Sequence, residues 1–230
     1  LLRVSSGAAH ARLRALRTGG FLASRRIFHG QPAAHHITRS GLRAIESTLP
    51  APRIDLRCYQ HDVDLAWVHL AARRGSFGLV RQVVCERDMR SHDGRAEEPR
   101  HGVRLGGFGS HGRERLHHPD LVLTTTSGHR VAVELELSSK GRVRRDRILA
   151  GYGSDASIDA VLYLVKDRAV ARSIQASARR LGIASRVHVQ AAVSSGPDLG
   201  ARAGREVERT RARGQDVGAS AQTRAAGPAR

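Results

Sequence analysis

The sequence predicts an α/β (α+β) protein: a mixed sheet flanked by helices, with a small helix–hairpin–helix unit ahead of it and a basic tail behind it. Two patterns lead there. From His118 onward, short apolar runs rich in Val and Leu alternate with stretches of helical periodicity. Before Pro50, one helical stripe, one aromatic-containing run and a second helical stripe are separated by Gly and Pro turns. The 230 residues leave room for two modules with a core each.

The first module, residues 1–50, opens with a helix over Gly7–Arg17, where Ala9, Leu13 and Leu16 recur at helical spacing. His10, Arg14 and Arg17 form a basic stripe beside the apolar one. Ser5 and Ser6 suit the cap, and Thr18-Gly19-Gly20 suits the stop. Phe21–Phe28 and His35–Thr38 pair as a hairpin across His29-Gly30-Gln31-Pro32, carrying Arg25 and Arg26. A helix over Ser40–Leu49 then ends before Pro50 and Pro52.

The second module spans residues 53–193. It starts with a helix over His61–Arg74, whose Val63, Trp67, Leu70 and Ala71 share one side, and a strand over Leu79–Cys85. Asp88–Leu116 has no periodicity and reads as a long loop, with residues 91–116 assigned no structure. Strands follow at Leu121–Thr126 and Val131–Ser138, then a helix at Gly141–Leu149 and a strand at Asp159–Val165. A helix at Arg168–Leu181 and a strand at Val187–Ala192 close the module. Residues 194–230 lack large apolar groups and read as a flexible basic tail.

Charge narrows the function. Lys+Arg number 39 against 21 Asp+Glu, a net +18, and all but two of the cations are arginine. That balance favours a polyanionic partner, foremost double-stranded DNA. Cys58 and Cys85 form no CxxC pair, so neither a disulfide framework nor a cysteine-rich zinc site is expected. No apolar run approaches the ~18–20 residues that cross a bilayer. A cytoplasmic, DNA-associated protein without membrane contact is the expectation.

The most informative stretch is His117-His118-Pro119-Asp120 followed by Val131-Ala-Val-Glu134-Leu-Glu136-Leu-Ser-Ser-Lys140. Strand alternation puts Val131, Val133, Leu135 and Leu137 on one face and Glu134, Glu136 and Ser138 on the other. With Asp120 at the start of the neighbouring strand, three carboxylates and Lys140 gather in one place. Asp120 and Glu134 are the expected ligands of a magnesium ion, which prefers carboxylate oxygens and activates water at a phosphate. The competing reading makes Glu134 and Glu136 the wet face of a half-exposed strand, paired with arginines such as Arg130, Arg142 or Arg145.

Three resemblances follow from these residues. Val4-Ser5-Ser6, Ala9-x3-Leu13-x2-Leu16-x2-Gly19 and Thr38-x2-Gly41-Leu42, in the order helix, wing, helix, resemble a winged helix-turn-helix. That resemblance implies DNA contact through His10, Arg14 and Arg17 and through Arg25 and Arg26 of the wing. Pro119-Asp120, Glu134-x-Glu136 and Lys140 resemble the PD-(D/E)xK nuclease core, the restriction-endonuclease-like fold. This implies Asp120, Glu134, Glu136 and Lys140 as catalytic residues. The pattern departs from that family where Glu136 stands in place of the lysine and Lys140 lies four residues beyond, so an active nuclease and an inactive descendant are both compatible with it.

The wider series Tyr59-Gln-His61-Asp62-Val63-x3-Trp67, Glu86-Arg87-x2-Arg90, His118-Pro119-Asp120 and Val133-Glu134-Leu-Glu136-Leu-Ser-x-Lys140, with Tyr152 after a basic helix, resembles the replication-relaxation family over Leu1–Val193. The resemblance implies a role in replication or mobilisation of plasmids or integrative elements. Replication or mobilisation proteins and a second copy of the chain, as a homodimer, are then expected partners. Arg142 and Arg145, on the basic helix, are expected to hold phosphates. The alternative function is a winged-helix transcriptional regulator whose α/β domain dimerises or senses a ligand.

Other motifs are discounted. The histidines lack an H-x3-5-H pair with a matching Cys or acid set, Ser138-Ser139-Lys140 lacks the S-x-x-K arrangement, and Gly106-Gly107-Phe108-Gly109 is not a Walker loop.

Overall fold

The computed structural model describes residues 5–109, 112–138 and 141–192. The expected basic tail at 194–230, Val4 and Lys140 lie outside those residues. The chain divides into two compact units between Tyr59 and Gln60, somewhat beyond the proline pair that sequence suggests as the boundary.

The first unit runs α1 (Ser6–Thr18), β1 (Leu22–Arg25), β2 (Ala34–Ile37) and α2 (Arg39–Ala44). Ser5 caps α1 by accepting the Ala8 N–H, and β1 and β2 pair antiparallel with Leu22 opposite Ile37. Thr38 ties the ends together: its hydroxyl donates to Gly20 O at 2.6 Å and accepts the Gly41 N–H at 3.0 Å. Helix α2 stops five residues before the expected Leu49. Glu46 adopts φ 56°, and the Ser47 N–H returns to Leu42 O at 2.9 Å, a left-handed closure that periodicity does not announce.

The second unit contains α3 (Tyr59–Arg73, whose first residue precedes the division), β3 (Val80–Cys85), α4 (Glu86–Asp93), β4 (Val103–Phe108) and β5 (Glu114–His117). It continues with β6 (Leu121–Thr125), β7 (Arg130–Glu136), α5 (Arg142–Ser154), β8 (Ala160–Val165), α6 (Arg168–Arg180) and β9 (Val187–Ala191). Five strands form a mixed sheet in the order β3-β6-β7-β8-β9, antiparallel on the β3 side and parallel from β7 to β9. Strand β7 is therefore its centre.

Alternation assigns the two faces as the sequence predicts. Val133 and Leu135 join Leu121, Leu123, Leu162 and Leu164 beneath Val68 and Ala72 of α3. Ala132, Val161 and Tyr163 lie on the opposite face with Ile148, Leu149 and Tyr152 of α5 and Ile174 and Ala178 of α6. Burial of these two apolar layers is the main drive for the unit to fold.

The stretch expected to be a loop is built. Helix α4 fills Glu86–Asp93, and β4 pairs with β5 as a separate hairpin. A polar hub organises it: Asp93 accepts backbone N–H groups from Arg100, His101 and Gly102 and the ring of His118. Such bonds leave no mark on hydrophobic periodicity.

Candidate functional site

Glu134 sits at the middle of β7 with 2% of its surface exposed, on the face covered by α5. A buried carboxylate requires donors, and two converge on one oxygen. The Tyr152 hydroxyl, from the last turn of α5, donates to Glu134 Oε1. His117 Nε2, at the end of β5, donates to the same oxygen at 2.6 Å. Burial pushes the Tyr152 hydroxyl well above its usual pKa, and the Glu134 charge pushes further, so the phenol stays a donor.

Glu136, two residues along, is 6% exposed on the same face. Tyr163 stands opposite Glu134 on β8. Its hydroxyl is raised well above its usual pKa, first by burial and then by Glu134, Glu136 and Asp120, while Arg145 pulls the other way. Four charged groups therefore act on one buried hydroxyl. Arg145 is itself 7% exposed and its Nε donates to Ser177 Oγ on α6 at 3.3 Å.

Asp120, just before β6, lies one step beyond the Leu121–Val133 pair and thus beside Glu134 along the ladder. Its Oδ2 accepts the Leu135 N–H at 2.7 Å and faces His61 Nε2 at 3.4 Å. The hydrogen bond to Asp120, then that to Asp62, raises His61 from 6.5 to about 10, so the ring is a cation at neutral pH. The sequence singles out Asp120, Glu134 and Glu136, and the fold brings them to one end of the central strands. His117, Tyr152 and His61 complete their surroundings, partners that no local pattern in the sequence pairs with the acids.

Magnesium is the ion that the sequence suggests for these acids. The ion needs oxygens that converge with free lone pairs. Here Oε1 of Glu134 is held by two donors and Oδ2 of Asp120 by an N–H and an imidazolium. Among the described residues, the three acids do not form a group whose ligand atoms all lie within 4.8 Å of one another. One oxygen of Glu134 and one of Asp120 are thus engaged by donors, and the arrangement assigns no chemical step to the ion.

A second feature adjoins the acids. Arg115, Arg142, Arg144 and Arg147, with Leu105, Leu116, Gly141 and Val143, line a cavity of about 710 Å³ between the β4–β5 hairpin and the start of α5. No acidic residue occupies the first turn of α5, and Gly141 caps it without a side-chain bond. Four arginines thus line one groove at the positive end of a 13-residue helix, and Arg142 Nε also lies 3.6 Å from Asp146 Oδ2. Leu116 of this groove immediately precedes His117, the donor to Glu134. Arg142 and Arg145 part company: the first faces the groove, the second the interior.

In the first unit, His10, Arg14 and Arg17 are exposed on α1, and Arg25 and Arg26 are exposed on and just after β1. The His10 ring donates from Nδ1 to Ser6 O at 2.8 Å, which fixes its direction along the helix.

Fold and site together define a two-unit α+β protein whose larger unit pairs a buried, hydrogen-bonded acid on its central strand with an arginine-lined groove. No family model, curated protein or solved structure matches the chain. Among the described residues, no helix is long and apolar enough to cross a membrane.

Proposed function

We propose that this chain is a DNA-binding protein of the replication-relaxation type, acting in replication or mobilisation of a plasmid or other mobile element. In this reading the first unit is a winged helix that contacts duplex DNA, and the second is a restriction-endonuclease-like core that grips the backbone without cutting it. Its main support is the groove of Arg115, Arg142, Arg144 and Arg147 at the N-terminus of α5. Arginine forks match phosphate oxygens bidentately, and a helix N-terminus adds aligned N–H dipoles. Glu136 standing where the nuclease pattern has its lysine supports a retired acid site over a working one.

Two assays test this. In a mobility shift with a short duplex, binding weakens as salt rises, with a slope of roughly −0.9 per phosphate neutralised. The triple variant Arg142→Ala, Arg144→Ala, Arg147→Ala then has a slope shallower by about 2 to 3. Binding that ignores salt, or an unchanged slope in the variant, removes the groove from the interface. Supercoiled plasmid incubated with the protein and magnesium stays supercoiled; relaxed circles that vanish with Glu134→Ala would replace gripping with nicking. Tight shifts restricted to one sequence would instead point to a transcriptional regulator.

A further inference from the structure

Away from the acids and the groove, His92, Asp93 and His101 each offer a ligand atom, and these atoms all lie within 4.8 Å of one another. We propose that this triad binds a zinc ion, which pins the segment between α4 and β4.

The donor chemistry selects the class of ion. Two imidazole nitrogens and one carboxylate oxygen suit a borderline divalent cation, whereas magnesium and calcium call for oxygen throughout. Zinc holds such ligands at ~2.0–2.2 Å in a tetrahedron, which sets ligand atoms about 3.4 Å apart. His92 Nδ1 and Asp93 Oδ1 stand 3.5 Å apart, close to that spacing, and the His92 side chain, 52% exposed on the last turn of α4, has room to turn onto an ion.

The other two ligands are already held. Asp93 is 3% exposed, and its carboxylate is fixed by the N–H groups of Arg100, His101 and Gly102 and by His118 Nε2 at 3.0 Å. Ligating carboxylates in metal sites are oriented by hydrogen bonds of this kind. His101 carries a buried Nδ1 without a hydrogen-bond partner, an expensive state for a polar atom and one that coordination of that nitrogen relieves. His92 also lines a cavity of about 490 Å³ with Ala96, Glu97, Glu98 and Arg100, which leaves room for water or a carboxylate as fourth ligand. The spacing His92-Asp93-x7-His101 resembles no common zinc motif, which is why sequence alone passes over it.

The competing account needs no ion: Asp93 only closes the loop, and the rings of His92 and His101 merely meet edge to face at 4.9 Å. Elemental analysis of the full-length protein, dialysed against zinc and then against metal-free buffer, separates the two. One zinc per chain is expected in the wild type, falling at least tenfold in occupancy in His92→Ala and in His101→Gln, while His129→Ala keeps it. Cobalt in place of zinc should give the intense visible bands of a tetrahedral site, absent from His92→Ala. His92 is exposed, so that variant folds, and circular dichroism checks it. No zinc retained by the wild type, or as much zinc retained by His92→Ala and His101→Gln as by the wild type, overturns the proposal.

Discussion

The Tyr152 hydroxyl and the Glu134 carboxylate meet inside the second unit, joining the last turn of α5 to the central strand of the sheet. His117 shares the same oxygen, so hairpin, helix and sheet converge on one atom. Tyr152 is 1% exposed, which denies water to whatever remains after a substitution. Tyr152→Phe removes one donor and keeps the ring; it should cost about 1–3 kcal/mol, the range for a bond lost from a buried charged acceptor. Urea unfolding measures it. A loss below the error of the midpoint would mean that the remaining partners satisfy the carboxylate without the phenol.

His61 supplies a prediction in pH. Its partner Asp120, and then Asp62, hold the ring at about 10 against an ordinary 6.5. A cation bound more tightly in the folded state stabilises at low pH: the His61 contribution is full below 6.5 and disappears as pH rises through about 10. The imidazole signals of His61 should therefore stay those of the protonated ring at pH 8 in a proton NMR titration. In Asp120→Asn the midpoint should fall by at least one unit. A wild-type midpoint near 6.5 would sever His61 from Asp120.

Much of this arrangement is legible in the sequence because alternation and apolar spacing are local signals. Glu134 and Glu136 share a face opposite Val133 and Leu135, as a period of two requires, and the strands and helices after His118 lie within a few residues of their expected positions. The partners of the acids are another matter. His117 and Tyr152 reach Glu134 from 17 and 18 residues away, and His118 reaches Asp93 from 25. Only the folded path of the chain brings such pairs together. The β4–β5 hairpin is hidden for a related reason: of β4 only Val103 is buried, and no residue of β5 is, so no apolar stripe marks it.

Lys166, immediately after β8, places its ammonium 3.0 Å from Asp64 Oδ2 on α3, and Gln60 Nε2 donates to the other oxygen at 2.9 Å. The aspartate is 4% exposed and the lysine 31%, so the pair is mostly shielded from solvent. Lys166→Met strands a buried anion and should destabilise by on the order of 3 kcal/mol. Adding Asp64→Leu should restore much of the loss, because two apolar groups need no partner. A double variant no more stable than Lys166→Met alone would show that the cost lies in packing and not in charge.

Gly151 separates helix propensity from packing. An added Cβ there would lie 2.7 Å from Arg104 O and 2.8 Å from Val103 Cγ1, where α5 crosses β4. Propensity alone favours Gly151→Ala by ~1 kcal/mol. Overpacking opposes it by about 1–3 kcal/mol, and a backbone oxygen yields less readily than a side-chain tip. The variant should therefore unfold at lower urea concentration than the wild type. It should also pry β4 away from α5, on which Leu105 and the groove arginines ride, and so weaken duplex binding without removing a charge. Gly7→Ala on α1 provides the contrast, since its Cβ would meet only Ser5 Oγ at 4.0 Å and the helix should gain stability. A stabilised Gly151→Ala with undiminished DNA affinity would break the link between this crossing and the groove.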